Sequence, residues 1–115
     1  CSANRQGGGL NMSNTGGRVE NCVFRNNQIP PNGNAESGAG LFVNAKFGAR
    51  PIVVGCTFEN NVSAQTGGGL GIRGTQLAVT DCVFVGNHAR YGGGVHLEVY
   101  QAESGNVSNC LIVDN

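Results

Sequence analysis

The stretch that decides the fold runs from Gly67 to Asn87 and reads GGGLGIRGTQLAVTDCVFVGN. It holds a glycine cluster closed by Leu70, then Val79, then the motif Cys82-x-Phe84-x-x-Asn87. The rest of the chain repeats it column by column. Upstream stand Cys22-Phe24-Asn27 and Cys56-Phe58-Asn61; downstream stands Cys110-Ile112-Asn115, with Ile in place of Phe. A valine lies three residues before each Cys, at Val19, Val53, Val79 and Val107. The matching glycine clusters are Gly7-Gly8-Gly9-Leu10, Gly38-Ala39-Gly40-Leu41 and Gly92-Gly93-Gly94-Val95. Cys-to-Cys steps are 34, 26 and 28 residues. Repeats of this length mark a solenoid, in which one unit buries its apolar face only when a neighbour stacks on it.

Within each unit, apolar residues alternate after the glycines: Leu10/Met12, Leu41/Val43, Leu70/Ile72, Val95/Leu97. A period of two is a strand with one face buried. A second short strand carries the Val column. Parity then shifts, because Val79 is odd while Cys82 and Phe84 are even, and such a shift turns buried residues outward unless the chain bends. The residue before each Cys is Asn21, Gly55, Asp81 or Asn109. These types tolerate left-handed backbone and make corners. A third strand then carries Cys and Phe inward, and Asn closes the coil. The pattern predicts an all-β parallel β-helix (β-solenoid) of about four rungs, each of three short strands, with no helices of note. The rungs fall near 7–27, 38–61, 67–87 and 92–115, with 1–4 as the end of a preceding rung, all in one domain. Length differences concentrate at Asn27–Gly38 and at Gly16–Gly17, Phe47–Pro51 and Gln101–Gly105, which read as loops leaving the coil.

Seven basic and seven acidic residues give no net charge and no basic stripe, so nucleic acid is not an expected partner. No apolar run is long enough to span a bilayer as a helix. Twenty glycines and low charge suggest disorder, but the strict apolar periodicity argues against it. Neither Cys1 nor Asn115 is flanked by a polar capping repeat. The expectation is a segment of a longer solenoid or a unit that stacks end to end with identical copies. On this reading Leu10/Val19/Cys22/Phe24 and Val95/Val107/Cys110/Ile112 form the two apolar ends.

Glycine triplets with a following aliphatic residue, alternating with Phe-x-x-Asn, resemble the repeats of chlamydial polymorphic outer-membrane proteins. They are also similar to related right-handed β-helix repeats of large bacterial surface and secreted proteins. The resemblance covers essentially the whole chain. It implies a right-handed coil, an extracellular or cell-surface location and a role in adhesion or surface architecture. The autotransporter barrel of the chlamydial proteins has no counterpart in these residues.

The Asn27/Asn61/Asn87/Asn115 column reads as a structural ladder, since stacked amides bond from rung to rung. Cys22, Cys56, Cys82 and Cys110 stack likewise. In-register Cβ atoms make disulfide closure difficult, which favours four buried free thiols over two bridges. A linear stack offers no tetrahedron for zinc. Gly69-x-Gly71-x-x-Gly74 fits the dinucleotide fingerprint formally, but a strand rather than a helix is expected after it. Chemistry is best sought on the outward columns of the first strand, Asn11/Phe42/Gly71/His96 and Ser13/Asn44/Arg73/Glu98. Glycoside hydrolysis needs two carboxylates, and Glu98 is the one acid there. Arg73, His96, Glu98 and Phe42 are the surface candidates, with Tyr91 and Tyr100 as exposed aromatics. Arg73 should pair with Glu98, and Arg25 with Glu59. The acids Glu20, Glu36, Glu59, Asp81, Glu98, Glu103 and Asp114 fall in different columns, so no cofactor, metal or nucleotide site is expected. Asn11, Asn61 and Asn106 open glycosylation sequons, Asn61 on the inward column. Thr15, Thr57, Thr66, Thr75 and Thr80 share no column, which argues against an ice-binding array.

The functional expectation is a non-enzymatic extracellular scaffold serving adhesion, spacing or filament assembly, with further rungs, identical copies, surface glycans or host proteins as partners. The alternative is a carbohydrate-binding or carbohydrate-cleaving β-helix, like the pectate lyases, with its catalytic rung outside these residues.

Overall fold

A computed structural model describes residues 8–13, 16–31, 37–45, 48–74, 76–99 and 106–115. Readings that fall on Cys1–Asn4, Thr15, Glu36, Thr75, Tyr100 and Gln101–Gly105 lie outside these residues. Three parallel sheets, each of four strands, wind about a common axis. The first stacks β1 (Leu10–Ser13), β5 (Leu41–Ala45), β9 (Leu70–Gly74) and β12 (Val95–Val99). The second stacks β2 (Arg18–Glu20), β6 (Ile52–Val54), β10 (Ala78–Thr80) and β13 (Asn106–Ser108). The third stacks β3 (Val23–Arg25), β7 (Thr57–Glu59), β11 (Val83–Val85) and β14 (Leu111–Val113). Four copies of each strand describe about three turns of the coil.

The register follows the repeat columns. Val19, Val53, Val79 and Val107 pair in line, as do Phe24, Phe58, Phe84 and Ile112. In the first sheet Leu10, Leu41, Leu70 and Val95 align, and so do Met12, Val43, Ile72 and Leu97. Stacking removes these side chains from water, and the hydrophobic term scales with the area removed. Leu41, Val43, Val53, Phe58, Leu70, Val79 and Phe84 are wholly buried. The phenylalanine rings stack nearly parallel, with centroids 5.0 Å apart for Phe24–Phe58 and 4.7 Å for Phe58–Phe84. That distance is the spacing of neighbouring strands, so the rings inherit their geometry from the backbone.

Left-handed residues form three columns at the bends that precede the third sheet, follow it and lead into the first. Between the second and third sheets stand Asn21, Gly55, Asp81 and Asn109, with φ from 49° to 62°. These are the positions the parity shift marks. After the third sheet stand Asn26, Asn60, Gly86 and Asp114, φ 52° to 61°. Before the first sheet stand Gly38, Gly67 and Gly92, φ 57° to 66°. The last glycine of each cluster is held by close approach. A Cβ on Gly40 would lie 2.5 Å from the Gly69 carbonyl oxygen and 3.0 Å from the Phe58 ring; one on Gly69 would meet Gly94 and Phe84 in the same way.

The coil departs from three strands per turn. After the ladder asparagine, β4 (Gln28–Ile29) pairs with β8 (Val62–Ser63), and Val62 bridges to His88. A further line of single pairs runs Ser37, Thr66, Tyr91 just before the glycines. Asn27 and Asn61 therefore turn the chain into a fourth short pairing, whose Ile29 and Ser63 are buried. Two residues per strand are too few for an alternating pattern to register. The ends also differ from a pair of open apolar faces. Leu10 and Cys22 are exposed, but Val19 and Phe24 are buried. At the other end Val107 and Ile112 are 38% and 52% exposed, so the valine stack is not buried throughout. The cysteine column is graded likewise: Cys56 and Cys82 are buried, Cys110 is half-buried and Cys22 is exposed. Its end members have a neighbouring rung on one side only among the described residues. Among the described residues no helix is long and apolar enough to cross a membrane.

Candidate functional site

The outward face of the first sheet is assembled by β5, β9 and β12, whose register brings Asn44, Arg73 and Glu98 into one line. Arg73 Nε donates to Glu98 Oε2 at 2.9 Å, with the two side chains 35% and 40% exposed. On the third sheet Arg25 Nε donates to Glu59 Oε2 at 2.7 Å. Both pairs stand where the columns place them. A third pair, Arg18–Glu20 at 2.6 Å, lies within β2. His96 shares the Glu98 face two residues earlier and is half-buried.

Phe42 is not on the surface. It is 1% exposed, although its parity points it away from the axis. The turns that enter β5 and β9 fold back over the second residue of each strand. A Cβ on Gly38 would lie 2.8 Å from the Phe42 Cα, and one on Gly67 would lie 2.8 Å from the Gly71 Cα. A side chain on Gly71 would strike Ser37 Oγ at 2.2 Å, so the turn at Ser37 and Gly38 fills the room that Gly71 leaves. The first outward column is roofed at Phe42 and Gly71, and the open part of the face is the Asn44/Arg73/Glu98 line with His96 beside it. Tyr91 is exposed, and the Arg90 guanidinium lies 5.4 Å from its ring centre.

Chemically, this face offers one ion pair and one imidazole. Among the described residues Glu98 is the one carboxylate in its two columns, and the paired carboxylates of glycoside hydrolysis are not assembled there. No three side chains of metal-binding type converge among the described residues. The Gly69–Gly74 run lies within and just before strand β9 and leads on to strand β10, so the helix that a dinucleotide site requires is a strand here. Asn61 is fully buried, which removes its sequon from the surface; Asn11 and Asn106 are exposed.

The asparagine column makes the densest polar network. Asn27 donates from its backbone N and its Nδ2 to Asn61 Oδ1, at 3.1 and 2.9 Å. Asn61 does the same to Asn87 Oδ1 at 3.0 and 2.8 Å, and Asn87 to Asn115 Oδ1 at 2.9 and 2.8 Å. The Nδ2 groups of Asn61, Asn87 and Asn115 also donate to the carbonyls of Phe24, Phe58 and Phe84 on the preceding turn, at 2.8 to 2.9 Å. A buried amide left unpaired is costly, and the amides of Asn61 and Asn87 are fully paired.

Burial pushes the Cys56 thiol up, and it pushes the Cys82 thiol up to about 11, with the thiols of Cys56 and Cys110 and the Asp81 carboxylate adding to the rise. A shallow hollow of about 310 Å³, lined by Arg50, Pro51, Ile52, Gln76, Leu77 and Ala78, opens at the corner between the first and second sheets. Its residues come from segments of unequal length, which is why no column marks it.

Stacked sheets, buried ladders and left-handed corners define a parallel β-solenoid of the three-sheet class. Residues 1–115 match the family model described as the right handed beta helix region, and the chain belongs to that family. No curated protein and no solved structure matches it.

Proposed function

We propose that this chain is a non-enzymatic extracellular scaffold, a stretch of surface or secreted β-helix that serves adhesion, spacing or fibre assembly. The observation that carries the reading is where the repetition lies. Every repeated side chain (Leu, Val, Cys, Phe, Asn) is spent on inward columns and on bonds between turns. The outward columns change from turn to turn, as in Asn11, Phe42, Gly71 and His96. Repetition kept for the axis and variation left for the surface suit a rod whose length and stiffness are its role. The likeness of its glycine and Phe-x-x-Asn repeats to chlamydial surface proteins supports the extracellular location. Its partners on this reading are further turns of the same polypeptide or identical copies stacked end to end.

Sedimentation of the purified chain over a wide concentration range tests the assembly. Growth into longer species with concentration is the expected result. A concentration-independent monomer with an intact β signal would overturn end-to-end stacking. Release of new reducing ends from a polysaccharide panel would overturn the non-enzymatic reading.

A further inference from the structure

The cysteine column is a line of thiols in one repeated pose. Cys22, Cys56, Cys82 and Cys110 each point Sγ at the carbonyl oxygen two residues earlier, at 3.2, 3.4, 3.2 and 3.1 Å. The Sγ atoms of the last three also lie 3.7, 3.8 and 3.9 Å from the carbonyl oxygen of the valine on the preceding turn. Identical poses on in-register strands make successive sulfurs translated copies, about 4.8 Å apart along the axis. A metal–thiolate bond is about 2.3 Å long, so two such bonds laid end to end span about 4.6 Å. One ion therefore fits between two neighbouring sulfurs in a straight S–metal–S line. Tetrahedral ions need four ligands around one point, which a straight column does not supply. Thiolates favour soft ions, copper(I) foremost.

We propose that the Cys22–Cys56 step is a two-coordinate site for a soft monovalent ion of the copper(I) class. In the unstacked chain Cys22 is exposed and gives the ion its entry before another turn covers it; Cys56 beneath it is buried and holds the second bond away from water. Of the steps in the column, this one joins the exposed thiol to a buried one. On binding, two S–H bonds break and two S–metal bonds form. Both protons pass to solvent, no electron is transferred, and the site changes by one negative charge overall. Cys82 and Cys110 repeat the spacing, but Cys82 lies beside the Asp81 carboxylate, whose charge opposes a further anionic centre.

The test uses the reduced full chain carrying Cys1→Ser, which removes the one thiol outside the column. Silver(I), inert to redox cycling, is titrated under native mass spectrometry, with copper(I) held reduced by ascorbate in a parallel arm. The expected result is one ion bound first, two protons released per ion, and protection of Cys22 from alkylation. Cys22→Ser should weaken that first binding by about tenfold or more, and Cys110→Ser should leave it unchanged. Cys22→Ala, at an exposed position, checks that the loss does not come from misfolding. Equal weakening by Cys110→Ser, or full binding by Cys22→Ser, would overturn the site. So would a loss of two hydrogens with no ion retained, which means a disulfide.

Discussion

The middle turns and the last turn carry the same residues at the same offsets, yet they live in different surroundings. Val53 and Val79 are fully buried, while Val107 in the same column is 38% exposed. Phe58 and Phe84 are likewise sealed, and Ile112 is half open. Burial in these columns is set by what covers the turn, not by the residue, and at the last turn the cover is lacking among the described residues. Stability in such a coil is a sum over interfaces, and an internal residue contributes to two of them.

Substitutions along one column break or sharpen that contrast. The largest effect should come from Phe58→Ala, which empties the centre of the ring stack and should cost about 3–5 kcal/mol in urea unfolding. Ile112→Ala, at the open end, should cost well under half as much. Equal costs would mean that burial does not govern the column. Next comes the amide ladder. Asn61→Ala strands the Asn27 N–H and the Phe24 carbonyl, and each orphaned buried group costs about 1–3 kcal/mol. Asn115→Ala leaves its partners nearer water and should be milder by more than about 1 kcal/mol. Thermal melts of the two variants side by side decide this.

A smaller effect concerns pH. The Cys82 thiol is raised to about 11 in the folded chain, so its neutral form is favoured there more than in the unfolded chain. The unfolded chain then loses the proton first, and its contribution to stability is present below about pH 8.5 and lost as pH rises through about 11. Urea midpoints measured upward from neutral pH should fall, and Cys82→Val should flatten the fall. An unchanged slope in that variant would remove Cys82 as the cause. The smallest effect is expected outside the coil. Arg73→Ala breaks a half-exposed pair and should change stability by about 0.5 kcal/mol or less. A cost near that of Asn61→Ala would show that the outer face also holds the turns together.

The inward columns were legible in the sequence because identical offsets have one physical meaning in a stacked coil. The corner at Asn21, Gly55, Asp81 and Asn109 was legible because a parity shift demands a bend. The second corner, Asn26/Asn60/Gly86/Asp114, carried the same residue types and was readable by the same rule. What stayed hidden depends on contacts between segments of unequal length. Phe42 has the parity of a surface residue, and only the fold-back of the turn at Gly38 buries it. The hollow beside Arg50 and Gln76 lies in just such a segment, so no column announces it. The candidate face was half legible: the Arg73–Glu98 pair followed from register, while the roof over its neighbours did not.

The amide ladder also gives the coil an electrical direction. In each of the three links of the ladder the Nδ2 of the earlier turn faces the Oδ1 of the later one. Dipoles set head to tail in this way add rather than cancel, as peptide dipoles do along a helix. The strand backbones contribute little along the axis, because successive peptide groups point alternately up and down it and cancel. The column is thus a thin polarised wire inside an uncharged protein, with its positive end at Asn115 and its negative end at Asn27.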